Sequence, residues 1–319
     1  MLKKIQAFDT LISNRHKGEE NMQKGRKVAL VCCSNGLSTD SLHIVEQLEE
    51  SLVMAGVKVT KSPYIFRKKS VFSGTAKERA EALMQFYEDK SVQGIFDISG
   101  GDIANEILTY LDFQKIKENP KPFFGYSDLT TILNAIYTKT ENEGVLYQIR
   151  NIIGGHLEKG RKDVECSVAG IQWNDFVNFL EEEREETLGN LGKFSYDWIK
   201  GKSMSGILVG GNIRCLLKLA GTDYFPDMKG KILLLEARSG QPAQITTYIS
   251  QLRQMRVFEQ VSGILLGTFS QMEKEGQIPD VNTLFRQQVS ADIPIAKTAK
   301  IGHGADSKAV KIGGYYQFL

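Results

Sequence analysis

No apolar run in this sequence is long enough to cross a bilayer. The opening residues interrupt their apolar positions with Gln6, Asp9, Thr10 and Ser13, which leaves no continuous core of a secretory signal. A cytoplasmic protein without a membrane partner is therefore expected. Cysteine is scarce: there are four in 319 residues, and Cys32 and Cys33 are adjacent within a strand-like run. That pattern makes neither a disulfide framework nor a spaced metal site, and suits a reducing compartment in which free cysteine packs as a small core residue. Charge of either sign is not in excess. The net value is +2 with no basic stripe carrying interleaved aromatics, so no nucleic-acid partner is expected. No internal repeat points to a solenoid.

What is present reads as an ordinary globular chain, 41% hydrophobic and 24% charged, and its length suggests about two domains. Residues 1–26 are polar, charged and weakly patterned, and are expected to form a flexible extension. From Lys27 the pattern becomes regular. Strand-like runs at Lys27 to Cys33, Val57 to Thr60, Gly94 to Ile98 and Phe123 to Gly125 alternate with helical periodicity over Asp40 to Ala55, Thr75 to Asp89, Ile103 to Leu111 and Thr131 to Tyr137. Such alternation implies right-handed crossovers and a parallel sheet covered on both faces. Between Tyr137 and Lys200 the pattern weakens to a short strand from Gly144 to Ile149, a turn at Gly154-Gly155-His156 and a helix from Gln172 that runs into the acidic stretch Glu181 to Glu186. The Gly-rich segment Gly189 to Lys193 suits a linker. A second α/β unit follows, with strands at Gly206 to Asn212, Lys231 to Glu236, Gly263 to Phe269 and Ile293 to Ala296. The expected division is 27–190 and 191–319, the second domain being the smaller.

The stretch with the most chemistry in it is Phe123-Phe124-Gly125-Tyr126-Ser127-Asp128-Leu129, where a strand gives way to a helix. A serine at such a corner stands proud of the sheet, with the following amide aimed at the same space, which is what a nucleophile and half an oxyanion hole require. Helix capping by Ser127 or Asp128 explains the same residues. The corner also lacks the second glycine of G-x-S-x-G, because Leu129 stands there. A second polar turn, Ser99-Gly100-Gly101-Asp102, ends the preceding strand, and paired glycines bring backbone amides close to a ligand when they do not simply make a turn. Ligands in open α/β sheets bind beyond these strand ends.

Two further residues ask for an account. Glu236 closes a strongly apolar strand, where an unpartnered carboxylate is costly. His303 lies between Gly302 and Gly304, a surface-loop position with no packing role. A serine nucleophile needs a base near neutral pH and the base needs an orienting carboxylate. Of the four histidines, His16 falls in the extension, His43 in a helix and His156 in a weakly patterned loop, so His303 is the best placed.

Taken together, Gly100-Gly101 with Tyr110-Leu111-Asp112, Gly125-Tyr126-Ser127-Asp128, Gly210-Gly211-Asn212, Ile232 to Glu236, Gly263 to Gly267 and Gly302-His303 resemble the LD-carboxypeptidase family of serine peptidases, which includes the microcin C immunity peptidases. The resemblance runs from about Lys27 to the C-terminus. It implies a flavodoxin-like N-terminal domain carrying the serine and a smaller α/β domain supplying glutamate and histidine. It implies Ser127 as nucleophile, His303 as base, Glu236 as orienter, and an oxyanion hole from the amide of Asp128 and one from the Gly101-Asp102 turn, with no metal or organic cofactor. It further implies a small peptide or peptide-conjugate substrate and a homodimer. Two departures bear on substrate choice: Asp102-Ile103 replaces the Tyr-Gly that many members carry, and Ala237-Arg238-Ser239 replaces an acidic continuation. Arg214 or Arg238 could receive a substrate carboxylate; both are equally readable as surface arginines. A non-catalytic binding relative is the rival class, and a glutamine amidotransferase is disfavoured because Ser127 stands where that chemistry wants cysteine.

Overall fold

The computed structural model describes residues 26–155, 167–181 and 188–319. The expected extension lies outside the described residues except for its last position, as do His156 and most of the acidic run. Five parallel strands, β1 (Lys27–Val31), β2 (Lys58–Lys61), β3 (Gly94–Asp97), β4 (Phe123–Gly125) and β5 (Gly144–Leu146), lie in the order β2-β1-β3-β4-β5. That is the flavodoxin-like order, whose ligand crevice opens where the strand order reverses. Within β1, Val28 and Leu30 face one side while Ala29 and Val31 face the other, and both faces are buried. Helices α1 (Leu42–Met54) and α5 (Val168–Glu181) cover the first face; α2 (Ala76–Glu88) and α4 (Thr130–Thr140) cover the second. A capping box between Thr75 and Glu78 starts α2. The helix expected at Ile103 to Leu111 is instead a run of 3-10 turns over Ala104–Tyr110, its first amide spent outward on the Asp128 carboxylate at 2.8 Å. A short α3 (Phe113–Glu118) precedes β4.

The second sheet has a parallel centre of β7 (Met204–Asn212), β8 (Ile232–Ala237), β9 (Gly263–Phe269) and β10 (Ile295–Lys297), in the order β12-β7-β8-β9-β10-β6. Its antiparallel edges are β6 (Asp197–Lys200) and β12 (Tyr315–Phe318). Helices α6 (Ile213–Leu217), α7 (Pro242–Gln254) and α9 (Val281–Gln288) pack on its outer face, and a short α8 (Ser270–Glu275) follows β9. The three strands absent from the sequence reading are β6, β11 (Val310–Ile312) and β12, each too short and too polar at alternate positions to carry a period. Of these, β11 crosses back to pair antiparallel with β5 in the first sheet, so the C-terminal chain stitches the two sheets together.

The joint between the sheets is α4. Its residues Thr130 to Ile136 are all buried, because one side faces the first sheet and the other faces β7. Two polar side chains one turn apart make the specific contacts. Asn134 accepts from the Gly210 amide at 2.8 Å and donates to the Gly210 carbonyl at 2.9 Å, and the Thr130 hydroxyl accepts from the Asn212 amide at 3.0 Å. Asn134→Leu strands both Gly210 groups in a buried interface, which at 1–3 kcal/mol each is expected to cost about 2–5 kcal/mol in urea unfolding. A loss below about 0.5 kcal/mol would show that the joint is held by apolar packing alone.

Candidate active site

Ser127 follows β4 by two residues and opens the single 3-10 turn that leads into α4. Its backbone has φ of +55°, a left-handed conformation that costs a non-glycine residue about 1–3 kcal/mol and persists only where its surroundings enforce it. The missing second glycine now has a reason. The corner is made tight from the strand side: a Cβ on Gly125 would lie 2.6 Å from that of Leu129, so the glycine gives way and the leucine packs into its place. Neither Ser127 nor Asp128 caps the helix with its side chain. The Ser127 hydroxyl instead lies 3.2 Å from Nε2 of His303.

The imidazole is held from behind. Its Nδ1 is 2.7 Å from Oε2 of Glu236, whose side chain is wholly buried, and the other glutamate oxygen accepts from the Asn212 carboxamide at 3.0 Å. Asn212 and Glu236 are direct neighbours in the β7–β8 register. The histidine loop closes over Glu236 because Gly302 has φ of +139° and passes so near β9 that a Cβ would meet the Thr268 hydroxyl at 2.0 Å. The ring also packs on that of Tyr126, with centroids 4.5 Å apart. Burial and the nearby Glu236 charge push the Tyr126 phenol far up, so it stays neutral. His303 is thus aimed by a carboxylate below, an aromatic face beside and the serine in front.

Asp128 turns inward. Its fully buried carboxylate accepts from the Ser34 hydroxyl at 2.6 Å and the Ala104 amide at 2.8 Å, and pairs with Lys218, the residue that follows α6 on the other sheet. Its own amide lies in the first turn of the helix, where amides lack a partner inside the helix. The Gly101-Asp102 turn stands on the neighbouring strand end. Of its two expected oxyanion donors, the Asp102 amide is already committed to the Asn35 side chain at 3.1 Å, because a left-handed Gly101 wraps the turn around that carboxamide. Arg214 is likewise engaged: it pairs with the Asp102 carboxylate and donates to the Gly101 carbonyl at 3.2 Å. Arg238 is exposed on the turn after β8. Asn35, Tyr126, Asn212 and Lys218 were missed as site residues in the sequence. Asn212 had a signal, standing after paired glycines at a strand end, whereas Lys218 meets a partner 90 positions away and leaves none. Among the described residues no group of histidine, cysteine, aspartate or glutamate forms a metal site, and no helix is long and apolar enough to cross a membrane.

Comparison with known proteins agrees with this architecture. The model of the LD-carboxypeptidase N-terminal domain matches residues 28–147, and that of the C-terminal domain matches 205–318. The chain belongs to the LD-carboxypeptidase family. Within this family, a Bacillus subtilis (strain 168) protein named "Probable murein peptide carboxypeptidase" is 28% identical over 261 residues, 81% of this chain and 78% of the relative. The microcin C7 self-immunity protein MccF of Escherichia coli is 30% identical over 214 residues, 61% of either chain. A solved structure of MccF with glutamyl sulfamoyl guanosine superposes with a TM-score of 0.78 at 21% identity, covering 92% of this chain and 93% of that one. A muramoyltetrapeptide carboxypeptidase from Oxalobacter formigenes gives 0.69 at 20% identity over 91% and 94% of the two chains. At these identities the two structures share the fold.

The Asp128–Lys218 pair makes a prediction for this family member. Lys218→Met leaves a buried carboxylate without its cation and is expected to cost about 3–5 kcal/mol in urea unfolding. A change under about 1 kcal/mol would mean that Ser34 and Ala104 suffice to hold Asp128.

Proposed function

We propose that this chain is a serine carboxypeptidase-type hydrolase that cuts an amide next to a D-amino acid in murein-derived peptides. The observation that carries this reading is the unbroken contact from Ser127 through His303 to Glu236. In the proposed reaction His303 Nε2 takes the Ser127 proton as Oγ bonds to the scissile carbonyl carbon. Glu236 keeps the Nδ1 proton in place and balances the imidazolium that forms. The oxyanion develops against the amide of Asp128. Because the Asp102 amide is committed to Asn35, the Gly101 amide is the donor the neighbouring turn can offer. One such donor is typically worth ~10²- to 10³-fold in rate. The C–N bond then breaks, His303 returns its proton to the leaving amine, and water, activated by the same imidazole, releases the acyl group from Ser127.

A second reading has its own support. The 30% identity to MccF and the fold shared with its sulfamoyl guanosine complex favour an aminoacyl-nucleotide or related conjugate as substrate, cut by the same triad. Incubating the protein with murein tetrapeptide and, separately, with an aminoacyl sulfamoyl adenosine decides between the two by which is hydrolysed.

Ser127→Ala is expected to lower kcat by ~10⁴-fold or more with ligand affinity retained, and Glu236→Gln by ~10³- to 10⁴-fold through misorientation of the imidazole. Turnover unchanged by Ser127→Ala would return the protein to the class of ligand-binding relatives.

A further inference from the structure

The elbow has a cation beside it that no sequence pattern marked. Arg150 lies in the 3-10 turn Ile149–Ile152, just beyond β5, and β5 pairs in parallel with β4 so that Gly125 is opposite Leu146. The Tyr147 amide then donates to the Gly125 carbonyl at 2.9 Å, which keeps the chain after β5 at the same edge of the sheet as Ser127. Arg150 is half-buried, and its Nε donates to the Gln148 carboxamide at 3.2 Å. Gln148 in turn lines one small cavity with Tyr126, Tyr147, Glu236 and Gly302.

The guanidinium is unusual for what it lacks. Arg79 and Arg214, the other arginines drawn into this edge of the sheet, pair with Glu106 and Asp102. Arg150 has no carboxylate within ion-pair distance among the described residues. The titratable groups near it are the Cys32 thiol, the Tyr126 phenol and the buried Asp97 carboxyl. Cys32 and Tyr126 are held neutral by burial, and the Asp97 carboxyl is pushed up in pKa by burial and occupied by Ser99 and the Cys33 amide. Arg238 stands exposed one residue beyond β8 of the other sheet, with no carboxylate within ion-pair distance among the described residues. A guanidinium fixed by a side-chain amide, half out of water and without a carboxylate among the described residues, is an arrangement that a bound anion would complete.

We propose that Arg150 anchors the free carboxylate at the C-terminal end of the substrate. This rests on the hydrolytic reading above and adds where the substrate is gripped. The leaving residue of a carboxypeptidase substrate carries its carboxylate about one backbone step, roughly 3.8 Å between Cα positions, beyond the scissile bond. Adjacent strand ends lie about 4.8 Å apart, so an anchor in the turn that follows the strand next to β4 is at the right scale. Arginine suits the task because its planar fork meets a carboxylate with two parallel hydrogen bonds. Arg150 is thus a substrate-positioning residue that selects peptides ending in a free acid.

The test separates grip from chemistry. On Ser127→Ala protein, calorimetry is run with murein tetrapeptide as its free acid and as its C-terminal carboxamide. The acid is expected to bind about 10- to 100-fold more tightly, Arg150→Gln in the same background to erase that preference, and Arg150→Lys to keep part of it. With Ser127 intact, Arg150→Gln is expected to raise KM by a similar factor and to move kcat far less, its circular dichroism matching that of the unmutated chain. A preference for the acid that survives Arg150→Gln overturns the anchor even if hydrolysis is robust, and so does failure of the Ser127→Ala protein to bind either peptide. An Arg150-dependent preference in a protein without turnover sustains the anchor and removes the hydrolase reading instead.

Discussion

The structure depends on the docking of α4 against β7 through Asn134 and Thr130. A helix that leaves a parallel sheet ordinarily shows one face to solvent, yet α4 is buried on both sides, and a helix buried so completely needs its few polar groups satisfied. Asn134 does this by acting as donor and acceptor to one peptide unit of β7. Because Ser127 sits at the start of the same helix and Glu236 is one strand over from β7, this contact sets the distance between groups that lie more than a hundred residues apart in sequence. The strained serine backbone is affordable for the same reason: the helix after it cannot move to relax it.

A second constraint acts on the histidine. Its loop begins where β10 leaves the second sheet and ends where β11 enters the first, so it is held at both ends by different sheets. Between those ends it is tied further, by Ser307 to Gln172 of α5, by Lys308 to Asp175, and by the Ala309 amide to Leu191. A short polar loop with two glycines in it would otherwise be mobile. Here it is the seam of the molecule, and the imidazole inherits its rigidity.

The carboxylates around the elbow show how one local fold sets different fates for like groups. Glu236 shares its charge between an asparagine amide and the imidazole, and Asp128 has a lysine. Asp97 has hydrogen-bond donors but no cation in contact among the described residues, and burial raises its pKa. The cations divide in the same way: Arg79, Arg214 and Lys218 are consumed in holding turns, while Arg150 donates to the Gln148 carboxamide and has no carboxylate partner among the described residues.

Much of this was legible in residue order. The continuous apolar runs at Lys27, Gly94 and Lys231, separated by helical periods, dictate parallel strands with covered faces, because only strands buried on both sides omit polar alternation. The glycine before Tyr126-Ser127 marks a corner, and a glutamate closing an apolar strand demands a partner wherever the chain goes. Those signals are local, since they concern which residues tolerate burial or a tight turn. Tertiary structure alone decided the rest: that β11 returns to the first sheet, that Lys218 meets Asp128, that Asn35 takes the Asp102 amide, and that Arg150 ends up near the elbow without a carboxylate partner among the described residues. Each of these is a meeting between segments tens to hundreds of residues apart, and short edge strands and single polar side chains carry no period from which such a meeting can be read.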